Sequence, residues 1–177
     1  MAHGRKTVDQ EMADLFHNFG KTGEMGITAL EEPWLYKIWD TNQKFLFLQN
    51  GLLQAAPLNS NSEDQVIAVV PNQILDQSKR PIFMGTKDGK HVLNVQSGDR
   101  PQLQLAGKDI MGLYKNKEEA KEFTFYNQTK GSEVTCSFES AASPGWFLST
   151  ASEPNKPLGL SQGGGSDITL FYIERKP

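Results

Sequence analysis

Three segments of the chain share one plan: a strand-like run, a polar turn and a second run with alternating leucines. They read KFLFLQNGLLQAA, KHVLNVQSGDRPQLQLA and GWFLSTASEPNKPLGLS, and they begin at residues 44, 90 and 145. Self-similarity at a nearly regular spacing indicates a fold built from similar units. The segment starts are 46 and 55 residues apart, so each unit has room for about four strands.

Strand-like runs continue from residue 34 to the C-terminus, separated by clusters of Gly, Asn, Asp, Pro and Ser. Short runs between such turn residues are typical of all-β domains. The runs are LYKIWD, KFLFLQ, LLQAA, QVIAVV, PIFMGT, HVLNVQ, QLQLA, EFTFYN, VTCSFES, WFLST, PLGLS and ITLFYIE. Twelve strands in three pseudo-repeats predict a β-trefoil, in which six strands form a closed barrel without free edges and six cap one end. An ordinary β-sandwich is the alternative fold.

Two segments have helical character. KDIMGLYKNKEEAKE, at 108–122, predicts a turn and a short helix between strands. Near the N-terminus, apolar residues at helical spacing predict an amphipathic helix over residues 8–19, preceded by a capping box and followed by a glycine. The residues that carry this second prediction are Val8, Met12, Leu15 and Phe19, with Thr7 and Gln10 in the capping box and Gly20 at the end.

The composition changes at about residue 33, which divides the chain into two parts. We expect residues 1–33 to be a flexible or partly helical pro-segment and residues 34–177 to be the β-trefoil domain. A flexible tail or an expression remnant is the alternative interpretation of residues 1–33.

Charge and cysteine content exclude several functional classes. The net charge is -3 and the pI is about 5.6, whereas nucleic-acid binders normally carry a basic field. We therefore expect no nucleic-acid partner, and no run approaches the roughly 18 apolar residues of a membrane helix. The single cysteine excludes an internal disulfide, and the N-terminus lacks the apolar core of a signal peptide. These features predict a protein of a reducing compartment. A cytoplasmic precursor that is secreted by a leaderless route fits them equally well.

No group of residues has the pattern of a catalytic or metal site. His3, His17 and His91 lack the spacing of metal ligands. Cys136 lies in VTCSFES, where strand alternation predicts a buried structural thiol rather than a nucleophile. The GGGS sequence at 163–166 lacks the Lys-Ser/Thr of a phosphate-binding loop. We therefore expect neither an enzyme nor a bound metal or cofactor.

The stretch FESAASPGWFLST, at 138–150, closely resembles the signature of the interleukin-1 cytokine family. The matching positions are Phe138, Ser140, Ala141, Pro144, Phe147, Leu148, Ser149 and Thr150, with Leu158 as the closing aliphatic residue. Further segments resemble the interleukin-36 and receptor-antagonist branch of the family. They are KIWDTNQK, VVPN, PIFMG, QLQL, DIMGLY and FTFY.

The resemblance implies a β-trefoil without catalytic activity. Family members bind immunoglobulin-type receptors at the cell surface and modulate inflammatory signalling. An agonist holds a primary receptor and recruits an accessory chain, whereas an antagonist fills the primary receptor alone. The resemblance thus implies a monomeric receptor ligand.

Individual receptor contacts follow from the resemblance, position by position. Trp39 and Gln43 match a Trp and a Gln that contact the receptor in the receptor-antagonist relative; the alternative for Trp39 is that it caps the barrel core. Pro57 and Asn59 stand where that relative uses a Tyr and a Gln. Leu170 stands where interleukin-1β has Asp and the receptor antagonist has Lys, and an apolar residue there can still pack against an accessory chain.

Ile38 and Asp40 fit the aliphatic-x-Asp landmark of interleukin-36 proteins, which lies about nine residues after the start of the active form. This resemblance places a new N-terminus near Ala29 or Leu30. With Leu170, it favours an agonist that recruits the accessory receptor after N-terminal trimming; the alternative is a receptor antagonist.

Other trefoil classes fit less well. A growth factor of the fibroblast type would carry a basic heparin-binding patch, and lectin repeats usually carry a QxW element that is absent here. A trefoil protease inhibitor would lack the signature at 138–158. Because the segments resemble several relatives at once, a designed or chimeric cytokine is also conceivable.

Overall fold

The computed structural model describes residues 6–19, 32–49, 52–57, 65–163 and 165–176. The predicted all-β class is confirmed. The strands are β1 Trp34–Asp40, β2 Lys44–Gln49, β3 Leu52–Pro57, β4 Ile67–Pro71, β5 Pro81–Gly85, β6 His91–Gln96, β7 Gln102–Gly107, β8 Thr124–Lys130, β9 Ser132–Ser140, β10 Phe147–Ser149, β11 Lys156–Pro157, β12 Gly159–Ser161 and β13 Phe171–Lys176. The helices are α1 Val8–Asn18 and α2 Ile110–Asn116, with short 3-10 turns at Gln77–Lys79 and Lys121–Phe123.

Six strands close into a barrel. Antiparallel pairing runs from β1 to β4, β5, β8, β9 and β13, and β13 pairs with β1 to complete the ring. Closure satisfies the backbone groups that an open sheet would expose at its edges. Four phenylalanines with at most 1% exposure lie in the core: Phe83, Phe125, Phe138 and Phe171.

Three hairpins cap one end of this barrel. They are formed by β2 with β3, β6 with β7, and β10 with β12, and each begins just after a barrel strand. The second junction depends on Gly85, because a Cβ there would lie 2.3 Å from the carbonyl oxygen of His91. The hairpins repeat the same connection in each third of the domain, as the three similar segments predicted.

The number of strands differs from the prediction by one. The structure contains thirteen named strands within its described residues, whereas the sequence patterns predicted twelve. The eleventh run is divided at Leu158: β11 pairs with β3, and β12 pairs with β10. The chain therefore changes its pairing partner within one run, which alternation alone does not reveal.

Helix α1, Val8–Asn18, begins at the predicted residue and ends one residue before the predicted Phe19. Gly20, the predicted stop, lies outside the described residues. The capping box is confirmed, since the Gln10 N–H donates to Thr7 Oγ1 (3.1 Å) and the Thr7 N–H donates to Gln10 Oε1 (2.8 Å). The predicted apolar face is buried, with Leu15 at 0% exposure. α1 packs against β4, β8, β9 and β13. β1 runs from Trp34 towards the hairpin of β2 and β3, so Trp34 lies at the opposite end of the barrel. Phe19, the residue directly after α1, contacts Trp34, and the helix therefore covers that opposite end.

Helix α2 lies within the segment predicted to be helical. Its first turn is capped by the Asp109 carboxylate, which accepts a hydrogen bond from the Met111 N–H (3.2 Å). Within the described residues, neither helix has the length and apolar character needed to cross a bilayer.

Candidate functional site

A buried ion pair organises the turn between β1 and β2. Asp40 is 0% exposed, and Lys44 Nζ lies 2.7 Å from its Oδ2. The backbone N–H groups of Asn42 and Lys44 donate to Asp40 Oδ1, both at 2.9 Å. The Thr150 hydroxyl donates to Oδ2 from the third repeat. Every oxygen of the carboxylate is thus paired, which a buried charge requires.

This ion pair fixes an exposed turn. Residues 41–43 are exposed, and the Gln43 N–H donates to the Asp40 carbonyl oxygen at 3.0 Å. Gln43 has a φ of 65°, a left-handed conformation that is costly for a residue with a side chain. Because Asp40 holds both flanks of the turn, the Gln43 side chain is presented to solvent from a rigid base.

Trp39, the residue before Asp40, is packed into the barrel wall. It is 6% exposed and stacks between Phe45 (ring centroids 5.1 Å apart) and Tyr172 (5.5 Å). This position agrees with the alternative in which Trp39 caps the core. A receptor contact by Trp39 stays a prediction.

Pro57 and Leu170 lie near the same turn. Pro57 is exposed and is the cross-strand partner of Lys44. Leu170 is half-buried and directly precedes Phe171, the cross-strand partner of Asp40. We call the turn 40–44 together with Pro57 and Leu170 the Asp40 rim. Asn59, the remaining predicted contact, lies outside the described residues.

Leu170 packs against the turn between β8 and β9. A Cβ placed on Gly131 would lie 3.1 Å from Leu170 Cδ1, and Gly131 has a φ of 84°. Glycine is suited to this position, because it accepts the left-handed backbone and leaves room for the leucine. The exposed part of Leu170 is therefore held in a defined place.

The family-signature residues mainly build the fold. Most of them are buried, and the Ser140 hydroxyl accepts a hydrogen bond from the Ser143 N–H (3.0 Å) at the corner between β9 and β10. The buried members are Phe138, Ser140, Ala141, Leu148, Ser149, Thr150 and Leu158; Phe147 is half-buried and Pro144 is exposed. Ile38 and Asp40 of the processing landmark are buried as well, at 1% and 0% exposure.

Sequence patterns missed how the Asp40 rim is held together. Asp40 was singled out as a processing landmark and Thr150 as a signature residue, but the hydrogen bond between them joins positions 110 residues apart. The pairing of Lys44 with Asp40 does have a local sequence signal, the Asp-x-x-x-Lys spacing that brackets the turn.

The candidate reactive groups are not arranged for catalysis. Cys136 is 0% exposed, and burial raises the pKa of its thiol to about 12. Its Sγ donates to the Phe171 carbonyl oxygen at 3.5 Å, so the prediction of a buried structural thiol is confirmed. His17 is exposed on α1 and His91 begins β6; His3 lies outside the described residues. In the described ranges, no cluster of His, Cys, Asp and Glu could hold a metal ion.

Asn127 begins the glycosylation sequon NQT but lies in the barrel wall. It is 1% exposed, and its amide nitrogen donates to the Ser137 carbonyl oxygen at 3.3 Å. The folded domain therefore does not present this amide at its surface.

Comparison with known proteins identifies the family. The family model described as Interleukin-1 / 18 matches residues 56–173. The human interleukin-36 receptor antagonist protein is 39% identical over 147 residues, which cover 79% of this chain and 94% of the relative. The chain belongs to the interleukin-1 family.

Two further comparisons support this assignment. The pig interleukin-1 receptor antagonist protein is 41% identical over 146 residues, covering 79% of this chain and 78% of the relative. The crystal structure of chicken interleukin-1β superimposes with a TM-score of 0.64 at 28% identity, covering 80% of this chain and 96% of that one. The predicted β-trefoil and the predicted branch of the interleukin-1 family are both confirmed. As a member of this family, the chain is a cytokine-type receptor ligand and not an enzyme.

Proposed function

We propose that this chain is a receptor antagonist of the interleukin-1 family. It occupies an immunoglobulin-type receptor of the interleukin-1 and interleukin-36 group and leaves the accessory chain unrecruited. One observation carries the proposal: the relatives at 39% and 41% identity are both named receptor antagonists. The agonist function favoured by the residue patterns is thereby the second candidate.

The geometry of the Asp40 rim supports a receptor contact. A rigid scaffold with exposed turns is the usual arrangement for recognition on a common fold. Gln43 and Pro57 are both exposed, and both adjoin Lys44: Gln43 precedes it in the chain, and Pro57 is its cross-strand partner. We propose these two residues as primary-receptor contacts, with Asn59 and the edge of Trp39 as further members.

Leu170 is the observation that favours the agonist. Its half-buried apolar side chain offers a surface on which an accessory chain could pack without desolvating a charge. A lysine at this position would carry a desolvation cost in the same contact. A variant at Leu170 can therefore distinguish the agonist function from the antagonist function.

The remaining predictions form part of the same proposal. The active form is monomeric, begins near Ala29 or Leu30 after trimming, and reaches the receptor by a leaderless secretion route. Both cleavage positions lie outside the described residues, and their support is the Ile38-x-Asp40 landmark.

The test is binding to the primary receptors of the interleukin-1 and interleukin-36 groups, with and without the accessory chain. The full chain and a chain starting at Leu30 are both measured. The antagonist proposal predicts a tight binary complex that the accessory chain does not join, and no signalling in reporter cells. Failure to bind either primary receptor would overturn it.

Variants connect the binding result to the Asp40 rim. Gln43→Ala is expected to weaken primary-receptor binding, whereas Gln102→Ala, at an exposed glutamine of β7, serves as the matched control. If a ternary complex forms, Leu170→Lys is expected to abolish recruitment of the accessory chain while preserving the binary complex. A ternary complex that is lost in Leu170→Lys would establish that the chain is an agonist.

A further inference from the structure

The end of the barrel opposite the hairpins is covered by a helix from outside the trefoil. Phe19 packs edge-on against Tyr114 (ring centroids 4.8 Å apart) and tilted against Trp34 (6.0 Å). Glu11, in the middle of α1, is 4% exposed. We call the surface under the helix, formed by Trp34, Tyr36, Tyr114, Asn127 and Arg175, the α1-binding surface.

This interface leaves polar atoms unpaired. Among the residues that the structure describes, three buried side-chain atoms lack a hydrogen-bond partner: Glu11 Oε1, Tyr36 OH and Asn127 Oδ1. All three residues lie where α1 meets the barrel. Glu11 is on the helix, Tyr36 is within electrostatic range of Glu11, and Asn127 lines a groove with Asp9 and Ala13 of the helix. A buried polar atom without a partner costs free energy that exposure to water would recover.

Several charged groups surround Glu11. Lys6, two residues before α1, forms an ion pair with Asp14 of the helix at 3.7 Å. From β13, the backbone N–H of Arg175 donates a hydrogen bond to the Glu11 carboxylate, and the Glu174 carboxylate acts on it electrostatically. From β1, the Tyr36 phenol is within electrostatic range of the same carboxylate. Desolvation by burial raises the pKa of Glu11, with Lys6 and the Arg175 hydrogen bond opposing that shift.

The apolar contacts of α1 are few, so its covalent attachment to the barrel contributes to holding it in place. Burial of Val8, Met12, Leu15 and Phe19 favours docking of the helix. Ordering the 11 residues of the helix opposes docking, because an isolated helix this short is marginal in water. Covalent attachment keeps the helix at an effective concentration of about millimolar. Cutting the chain removes that advantage.

We propose that the α1-binding surface is a site for an amphipathic helix and that α1 occupies it in the intact chain. Cutting the chain between residues 19 and 32 lets α1 dissociate, because the interface keeps the Glu11 carboxylate buried with an unpaired oxygen. The proposal extends the N-terminal trimming described above. It is tested without a receptor, so either proposal can fail alone.

The pH dependence follows from the direction of the Glu11 shift. A raised pKa in the docked state means that docking binds a proton. The contribution to docking is fully present below the ordinary glutamate pKa and is lost as the pH rises through the raised value. Low pH therefore retains α1, and neutral pH favours its release.

The experiment places a site-specific protease sequence within residues 20–31 of the full chain. After cleavage, retention of the N-terminal fragment is measured by gel filtration and native mass spectrometry at about pH 5 and about pH 7.5. We expect the fragment to be retained at the lower pH and lost at the higher. Glu11→Gln should retain it at both, with about 10-fold tighter binding at neutral pH.

Asp9→Asn is the matched control, because Asp9 is an exposed acid of the same helix. It removes one exposed negative charge and leaves the buried Glu11 carboxylate in place, so its pH dependence should follow the unmodified chain. His17 is exposed and is present in all three chains. Equal retention at both pH values, or a Glu11→Gln fragment that dissociates like the unmodified one, would overturn the proposal.

Discussion

The two ends of the barrel each bury a carboxylate, but only one carboxylate is fully paired. At the hairpin end, Asp40 is bound by the Lys44 ammonium, two backbone N–H groups and the Thr150 hydroxyl. At the helix end, Glu11 keeps an oxygen without a partner. A fully paired charge fixes one arrangement, whereas an unpaired one lowers the free energy of separating the parts. We therefore expect the hairpins to stay packed on the barrel, and we expect α1 to be able to detach from the other end.

The largest expected effect tests the hairpin end. Asp40→Asn leaves the Lys44 ammonium buried without a counter-charge, so we expect the free energy of unfolding to fall by about 3–5 kcal/mol. Urea unfolding measures this loss. Asp99→Asn, at an exposed loop position, is the control and should change it by less than about 0.5 kcal/mol. A loss at Asp40 similar to that of the control would contradict the difference between the two ends.

The second prediction compares equally buried leucines at the two ends. Leu148, in strand β10 of the third hairpin, and Leu15, on α1, are both 0% exposed. Leu148→Ala should cost about 2–5 kcal/mol in urea unfolding through the cavity it leaves. Leu15→Ala should cost less, because the helix can detach and limit the loss to its docking free energy. Equal losses would mean that α1 unfolds only with the barrel.

Cys136 supplies a third buried acid, which stays neutral. Its thiol pKa is raised to about 12 by burial, so unfolding above the ordinary thiol pKa releases a proton. Stability is fully present below that ordinary value and is lost as the pH rises towards the raised one. Between about pH 8 and pH 10, the chain should lose about 1.5–2 kcal/mol more unfolding free energy than Cys136→Ala. Parallel losses in the two proteins would contradict this assignment.

The smallest expected effect concerns the exposed turn that Asp40 holds. Gln43→Gly relieves a left-handed residue and should raise the unfolding free energy by less than about 1 kcal/mol. Gln102→Gly, in β7, should lower it by about 0.5–1 kcal/mol, because glycine weakens a strand. Thermal unfolding of both variants measures the change in unfolding free energy, which should have opposite signs at the two positions. A loss at Gln43 as large as that at Gln102 would show that the turn is not strained.

Local patterns predicted what depends on neighbours in the chain. The α1 capping box, the α2 segment and eleven of the twelve strand-like runs form as single elements because spacing and turn residues act over a few positions. The division of the eleventh run at Leu158 was not predicted, since it depends on two partners far away in the sequence. The same limit applies to Trp39, whose stacking on Tyr172 requires β13.

The sequence by itself determined the three similar repeats, the apolar face of α1, the burial of the Cys136 thiol and the family signature. Each of these depends only on residue type and spacing. Only the tertiary structure decided which buried charges are satisfied. Asp40 meets Thr150 across 110 residues, and Glu11 meets β13 with one oxygen left unpaired. Pairing of a buried charge depends on groups that arrive from distant strands, and their arrival is a property of the closed barrel.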